Sequence, residues 1–282
     1  MEATCPTALD KDFELLAERL PAWIETPVEK RIEYLREIRD HVHRLAESWV
    51  QVCCEIKGLD PKSQRAGEEW AMGPMIVLRN LRLMERQLTT PPREGGRIVR
   101  SLPEDSWDLF QWAIFKGETW SAPEFRQDFQ VQGKVGLVLG AGNVSSISAT
   151  DLIYKMFIEN QVVLLKMNPV HEQLGPLLEE AFAPLIRDGF LRFAYGGADV
   201  GAAACKHPRV EALHVTGSHF TYEAIRASVG EDKPITAELG CISPVIVVPG
   251  LWSSRHLAYQ ARHVAGMLTT NGGFNCNAAQ VL

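Results

Sequence analysis

"KVGLVLGAGNVSSISATDLIYKMFIENQVVLLK" occupies residues 134–166, and its reading decides the class of the fold. A short apolar run (134–140) leads through a Gly-rich turn into a helix-like stretch (145–160). A second apolar run then ends at Lys166. Apolar runs this short, bounded by glycine, read as buried strands, and the segment between them reads as a crossover helix. The alternation continues downstream. "HEQLGPLLEEAFAPLIRDG" (171–189) is a helix, "LRFAYGG" (191–197) a strand and "VGAAACKHP" (200–208) a short helix. "EALHVTGS" (211–218) is a strand, "HFTYEAIRASVG" (219–230) a helix and "ISPVIVV" (242–248) a strand. Strands alternating with helices predict a parallel sheet with right-handed crossovers, an α/β domain of dinucleotide-binding type over 134–250.

Upstream, roughly the first 90 residues read as helical. Thr26-Pro27-Val28-Glu29 has the pattern of a capping box with proline at the first helical position. Ile32, Leu35, Ile38, Val42, Leu45 and Trp49 recur at spacings of three and four, which is one face of an amphipathic helix, and Gly58 is a stop. A further helix follows Asp60-Pro61, is disturbed at Gly73-Pro74 and runs into the breaker "TTPPREGG" (89–96). Residues 97–133 mix aromatics with turn signals and allow short strands, so 1–133 reads as an N-terminal helical region with short strands. His41 and His43, two apart on a helix, point to different faces and read as solvated surface.

Composition narrows the function. The chain has 282 residues, 46% hydrophobic and 23% charged, an ordinary globular balance. A net charge of -6 offers no basic field for nucleic acid. No apolar run is long enough to span a bilayer, and no basic segment followed by an apolar run marks a leader, so no membrane partner is expected. Six cysteines without C-x-x-C spacing read as reduced thiols of a cytoplasmic protein. No His/Cys cluster has zinc spacing, so no metal is expected.

The familiar nucleotide motifs are incomplete. "GAGNVSS" (140–146) resembles G-x-G-x-x-G, but Ser145 or Ser146 stands where the third glycine belongs. The second strand ends in Lys166 and not in the acid that usually holds ribose. No P-loop and no G-x-S-x-G elbow is present. A different series remains. Asn143 ends the first strand, Lys166 the second and Gly217-Ser218 the fourth. Glu238 in "AELG" sits just before the fifth, and Cys276 lies in "GGFNCNA". Carboxyl ends of parallel strands converge on one rim, which gathers most of this set by topology.

In that order, a strand ending in Asn, one ending in Lys, "VTGS", "ELG-x-x-SP" and "GG-x-N-C", the sequence resembles the aldehyde dehydrogenase superfamily. The resemblance covers about residues 10 to 282 and is strongest from 134 onward. It implies an aldehyde-dehydrogenase-like α/β fold: N-terminal helices, a Rossmann-type parallel-sheet domain, and a catalytic domain that begins over 251–282 and is incomplete. The chain then reads as the N-terminal part of a longer enzyme. The implied reaction is NAD- or NADP-dependent oxidation of a small-molecule aldehyde to an acid. Cys276 is the implied nucleophile, Asn143 the oxyanion donor and Glu238 the base for deacylation. Cofactor contacts are implied for Gly142, Lys166, Gly217, Ser218, Leu239 and Gly240, and a homodimer or tetramer for the full-length protein.

Several positions depart from the family pattern. Pro169 stands where a ribose-binding Glu is usual, unless Glu172 shifts into its role. Tyr222 lies near the place of a second glycine, Cys241 replaces the last glycine of "ELGG", and Leu152 takes the place of a relay lysine, with Lys155 one turn on. A CoA-acylating enzyme using the same cysteine, and a catalytically silent binding module, stay open as alternatives.

Overall fold

The computed structural model describes residues 1–89, 99–102, 117–120 and 132–281, the two short segments by backbone alone. Four helices come first: α1 (Pro6–Ile24), α2 (Val28–Lys57), α3 (Ala66–Met72) and α4 (Pro74–Thr89). In α2 the residues Leu35, Ile38, Val42, Leu45 and Trp49 are all buried, as their spacing requires. Gly58 ends the helix in the left-handed conformation (φ 63°), and its N–H is bonded to the Glu55 carbonyl at 3.1 Å.

The capping box does not form. Thr26 Oγ1 donates to the Ala22 carbonyl at 2.8 Å, satisfying one of the orphan carbonyls at the end of α1. Pro27 itself is the residue flanking α2, without a side-chain cap. The helix after Asp60-Pro61 starts only at Ala66, because Asp60 Oδ1 accepts from the Lys62 N–H at 2.9 Å and holds a turn there. The break between α3 and α4 falls at Gly73. A Cβ there would sit 2.6 Å from the Glu69 carbonyl and 3.1 Å from Trp49 Nε1, so no side chain fits.

Short strands β1 (Val99–Leu102) and β2 (Gly117–Trp120) pair antiparallel; the rest of 97–131 lies outside the described residues. The main sheet holds β3 (Lys134–Leu139), β4 (Gln161–Lys166), β5 (Leu191–Ala194), β6 (Ala212–Gly217) and β7 (Ile235–Leu239). Its order is β5-β4-β3-β6-β7, all parallel. The crossovers use α5 (Ile147–Phe157), a 3₁₀ turn with α6 (Gly175–Ala181) and α7 (Ala183–Arg187), then α8 (Ala198–Lys206) and α9 (His219–Val229).

The fifth strand is displaced from its expected position. It is "ITAEL" and not "ISPVIVV", so Glu238 lies inside β7, opposite Thr216, and not ahead of it. Of 242–248 only Ser243–Pro244 forms a strand, β8. It pairs with β9 (Ala279–Val281), while Ile246 and Val247 stay exposed. An apolar run makes a buried strand only where something covers it, and the edge strand β7, half exposed, needs no such run. Helix α10 (Ser254–Thr269) buries no residue.

One apolar core joins the N-terminal helices to the sheet. Phe13 and Trp23 of α1, Trp49 of α2, Val138 of β3 and Leu164 of β4 belong to it, each at 0% exposure. Arg31 secures the seam. Its Nη2 donates to the Trp23 carbonyl at 2.8 Å and to Asn160 Oδ1 at 2.6 Å, its Nε donates to the Thr26 carbonyl at 3.1 Å, and its guanidinium lies 4.3 Å from the Trp23 ring. Burial lowers its pKa to about 10, which leaves the cation charged at neutral pH. Arg31→Ala should therefore lower unfolding stability by about 2–3 kcal/mol in denaturant titrations, since it strips a buried acceptor, Asn160, of a charged donor. Arg36→Ala, which removes a more exposed ion pair with Glu85, should cost less than about 1 kcal/mol. Equal costs would sink the assignment of Arg31 as the tie.

Candidate active site

Strands β3, β4 and β5 are added outward on one side, and the chain then crosses to place β6 and β7 on the other. The reversal lies between β3 and β6, where neighbouring connections leave in opposite directions and open a crevice. A cavity of about 1140 Å³ occupies this place. Its walls come from the β3–α5 loop, the ends of β6 and β7, the end of α2 with α3, and the loop of residues 271–276.

That last loop is held by a polar clamp. Asn271, Gly272 and Gly273 are all left-handed (φ 53°, 61° and 81°), a run that glycine and asparagine tolerate. The Asn271 backbone N–H donates to Glu68 Oε2 at 2.8 Å, and its Oδ1 accepts from Lys57 Nζ at 2.6 Å. Its Nδ2 donates to the Asn143 carbonyl at 2.9 Å and to Asn275 Oδ1 at 3.0 Å. Lys57 also pairs with the buried Glu69 carboxylate at 2.6 Å. Asn143 Nδ2 donates to the Phe274 carbonyl at 3.0 Å, which uses one of its two amide hydrogens. The β3–α5 loop and the cysteine loop are thereby joined to the N-terminal helices.

Asn143, Glu238 and Cys276 all line the cavity, as do Gly142, Gly217, Ser218, Leu239 and Gly240. Asn143 stands four residues beyond the end of β3. A Cβ on Gly142 would fall 2.7 Å from Asn168 Oδ1, so a side chain there would displace the Asn168 amide from its bond to the Val170 N–H. Gly217 and Gly240 face open space, with no heavy atom closer than 3.9 Å to a Cβ built on the first and none within 4 Å on the second. Ser218 caps α9, its Oγ accepting from the Thr221 N–H at 3.2 Å. Cys276 is exposed, and its carbonyl accepts from Cys241 Sγ at 2.8 Å.

Lys166 does not join this set. It ends β4 as expected, but its side chain is buried away from the cavity and its ammonium donates to the Gly196 carbonyl. Glu172 Oε1 accepts from the Gly196 N–H at 2.6 Å, so Glu172 is drawn to the same corner. Burial lowers the Lys166 pKa, and Glu172 and Asp199 partly oppose that shift. Lys155 is likewise buried, donating to Glu159 Oε1 at 2.6 Å and Thr236 Oγ1 at 2.8 Å, and Leu152 is core.

Other groups at the cavity were not singled out by motif. Asp151 Oδ2 accepts from Thr216 Oγ1 at 3.0 Å and lies 3.2 Å from His214 Nε2. Since Thr216 is the register partner of Glu238, this network sits beside that carboxylate. Lys57 and Asn271 are 214 residues apart, and no spacing rule links them. A left-handed Asn before two glycines was the one local signal available. Among the described residues no group of three His, Cys, Asp or Glu is placed to hold a metal, and no helix is long and apolar enough to cross a membrane.

Residues 145–282 match the model of the aldehyde dehydrogenase family. Over that stretch, just under half of its length, the chain is similar to members of that family. It is 30% identical over 187 residues to coniferyl aldehyde dehydrogenase of a Pseudomonas species, covering 64% of this chain and 37% of that protein. Against alpha-ketoglutaric semialdehyde dehydrogenase 2 of Azospirillum brasilense it is 25% identical over 290 residues, covering 97% of this chain and 51% of the relative. The chain thus spans about half or less of the length of these curated relatives. Aldehyde dehydrogenase C of Pseudomonas syringae, solved with NAD+ and octanal, shares the fold at a TM-score of 0.68 and 18% identity, over 98% of this chain and 50% of that one. An aldehyde dehydrogenase of Bacillus cereus, solved with NAD+, does so at 0.69 and 18%, over 98% and 51%.

The cavity wall also includes a buried histidine, His171, whose Nδ1 lies 3.2 Å from the Ala141 carbonyl. Burial lowers its pKa below 6.5, against the opposing pull of that carbonyl. The folded state therefore prefers the neutral ring. Its contribution to stability is complete above the unfolded value of 6.5 and is lost as pH falls below it toward the folded pKa. His171→Gln should flatten the slope of stability against pH immediately below 6.5, by up to about 1.4 kcal/mol per pH unit. Denaturant titrations across that window provide the measurement, and an unchanged slope would overturn the assignment.

Proposed function

We propose that the protein carrying this chain oxidises a small-molecule aldehyde to a carboxylic acid with NAD or NADP, using Cys276 as nucleophile. The observation that carries the reading is the gathering of Asn143, Glu238 and Cys276 around one cavity at the strand-order reversal. The Cys276 thiolate attacks the aldehyde carbon and a C–S bond forms. The carbonyl oxygen takes up negative charge, and Asn143 Nδ2–H with the Cys276 backbone N–H donates to it. Neutral donors suit this task, because they stabilise the charge without surrendering a proton. Loss of hydride leaves a thioester on Cys276. Glu238 then takes a proton from water, the water oxygen attacks the thioester, and acid and thiol separate. A carboxylate at 238 favours water over CoA as the acceptor.

The chain's residues fit a dinucleotide at one end of the cavity. Gly217 and Gly240 leave open space, and the Ser218-capped start of α9 presents backbone N–H groups toward an anion. When bound, the nicotinamide group supplies the hydride acceptor. Gly142, Leu239 and Gly240 would line its path, whereas Lys166 reaches ribose only by exchanging its bond to Gly196. Solved relatives of this fold carry NAD+ or NADP, so both belong to the proposal. A cytoplasmic location accords with six free thiols, and homodimeric or tetrameric assembly completes the reading.

Cys276→Ala should abolish aldehyde-dependent absorbance of the reduced cofactor, while Cys53→Ala and Cys54→Ala, at buried positions in α2, keep most of it. Activity surviving without the Cys276 thiol would end the proposal. Glu238→Gln should preserve the first burst of reduced cofactor but slow steady turnover about 10²–10⁴-fold. Equal loss of burst and turnover, or a requirement for CoA in the parent enzyme, would remove Glu238 from deacylation.

A further inference from the structure

We propose that Cys241 is a resolving thiol for Cys276, so that a hydroperoxide converts the pair to an intramolecular disulfide. The inference rests on Cys276 being the reactive nucleophile of the proposed function, and it concerns a second chemistry at the same sulfur. Cys241 occupies the last position of "ELGC", directly after β7, and both cysteines are exposed and line the cavity. Cys241 Sγ lies 2.8 Å from the Cys276 carbonyl oxygen. That oxygen belongs to the Cys276 backbone, so the Cys241 sulfur approaches the residue whose side chain it would join. The surroundings hold the two segments in place. Ser243 of β8 pairs with Ala279 of β9, and the Val245 N–H donates to the Val281 carbonyl at 2.8 Å, so the segments that follow Cys241 and Cys276 are tied to each other in one two-stranded ribbon.

The chemistry balances. The Cys276 thiolate attacks one oxygen of the hydroperoxide and the O–O bond breaks. Cys276 becomes a sulfenic acid, and the peroxide is reduced to an alcohol, or to water if it is hydrogen peroxide. Cys241 sulfur then attacks the Cys276 sulfur. The S–S bond forms, the S–O bond breaks, and hydroxide leaves with the Cys241 thiol proton as water. Two thiols lose two electrons in total and one peroxide gains them. An accessible thiol without a partner continues to sulfinic and sulfonic acids, which ordinary thiols do not reverse, whereas a disulfide is restored by thiol exchange. The other cysteines are poorly placed to compete. Cys53, Cys54 and Cys205 are buried, and exposed Cys5 flanks the start of α1, outside the cavity lining.

The test treats the 282-residue chain with hydrogen peroxide, blocks remaining thiols with iodoacetamide, and maps peptides by mass spectrometry without reduction. The expected product is one cross-linked peptide pair joining residues 241 and 276, released by dithiothreitol. In Cys241→Ser the pair should vanish. Trapping of the Cys276 sulfenic acid by dimedone should rise severalfold, and sulfinic and sulfonic forms should accumulate at Cys276. Absence of the cross-link in the parent chain would overturn the proposal, as would a cross-link from Cys276 to Cys5 or dimedone labelling equal in parent and variant. The readout needs no turnover. A protein that oxidises aldehydes but forms no cross-link refutes this inference alone, and one that cross-links but lacks activity refutes only the reaction proposed above.

Discussion

A buried carboxylate is the constraint on which the site depends. Glu69 is 3% exposed, and an ionised acid so placed needs a cation. Lys57 meets that need, and the same ammonium reaches across to Asn271 Oδ1. One electrostatic requirement inside the N-terminal helices thereby holds the loop that carries Cys276. Asn271 passes the restraint on to Asn143 and Asn275, so both walls of the cavity are tied to a single charge pair. Separating the two partners would strand a charge where water does not reach it easily, which is the expensive direction for such a pair.

The sheet supplies the other half of the arrangement. Parallel strands direct their carboxyl ends to one rim, and the change of direction between β3 and β6 leaves room there that helices elsewhere fill. Groups at that rim divide by burial. Glu238, Ser218 and Cys276 face the cavity, while Lys166 turns to the Gly196 carbonyl and the neighbourhood of Glu172. An ammonium that loses water at a strand end takes the nearest oxygen atoms, and here those belong to the backbone beyond β5.

The segment from 242 to 281 is physically unlike the rest. Ile246, Val248, Leu251 and Phe274 are exposed, and α10 buries nothing, although its apolar residues recur as in an amphipathic helix. Described residues between Leu9 and Ile225 instead build a core whose central side chains are inaccessible to water. The precision of the Cys276 loop therefore comes from polar contacts with α2, α3 and the β3–α5 loop, not from apolar packing around it.

Local sequence was enough to determine the periodic elements: α2 through its three- and four-residue spacing, Gly58 through its backbone freedom, and the β3-to-β6 alternation through short apolar runs separated by helices. It also determined the parallel class of the sheet, and with it the rim that Asn143 and Glu238 share, because a crossover helix leaves a strand few other ways to return. Tertiary structure alone decided the rest. Whether "ISPVIVV" became a strand depended on a covering layer, and whether Thr26 capped α2 or closed α1 depended on where α1 ended. The direction of the Lys166 ammonium depended on a carbonyl 30 residues away. The bond from Lys57 to Asn271 joins positions 214 residues apart, and the approach of Cys241 to Cys276 required β8 and β9 to pair. Such contacts carry no periodic trace in the chain, since they are fixed by distances in space and by the cost of leaving a polar group without a partner.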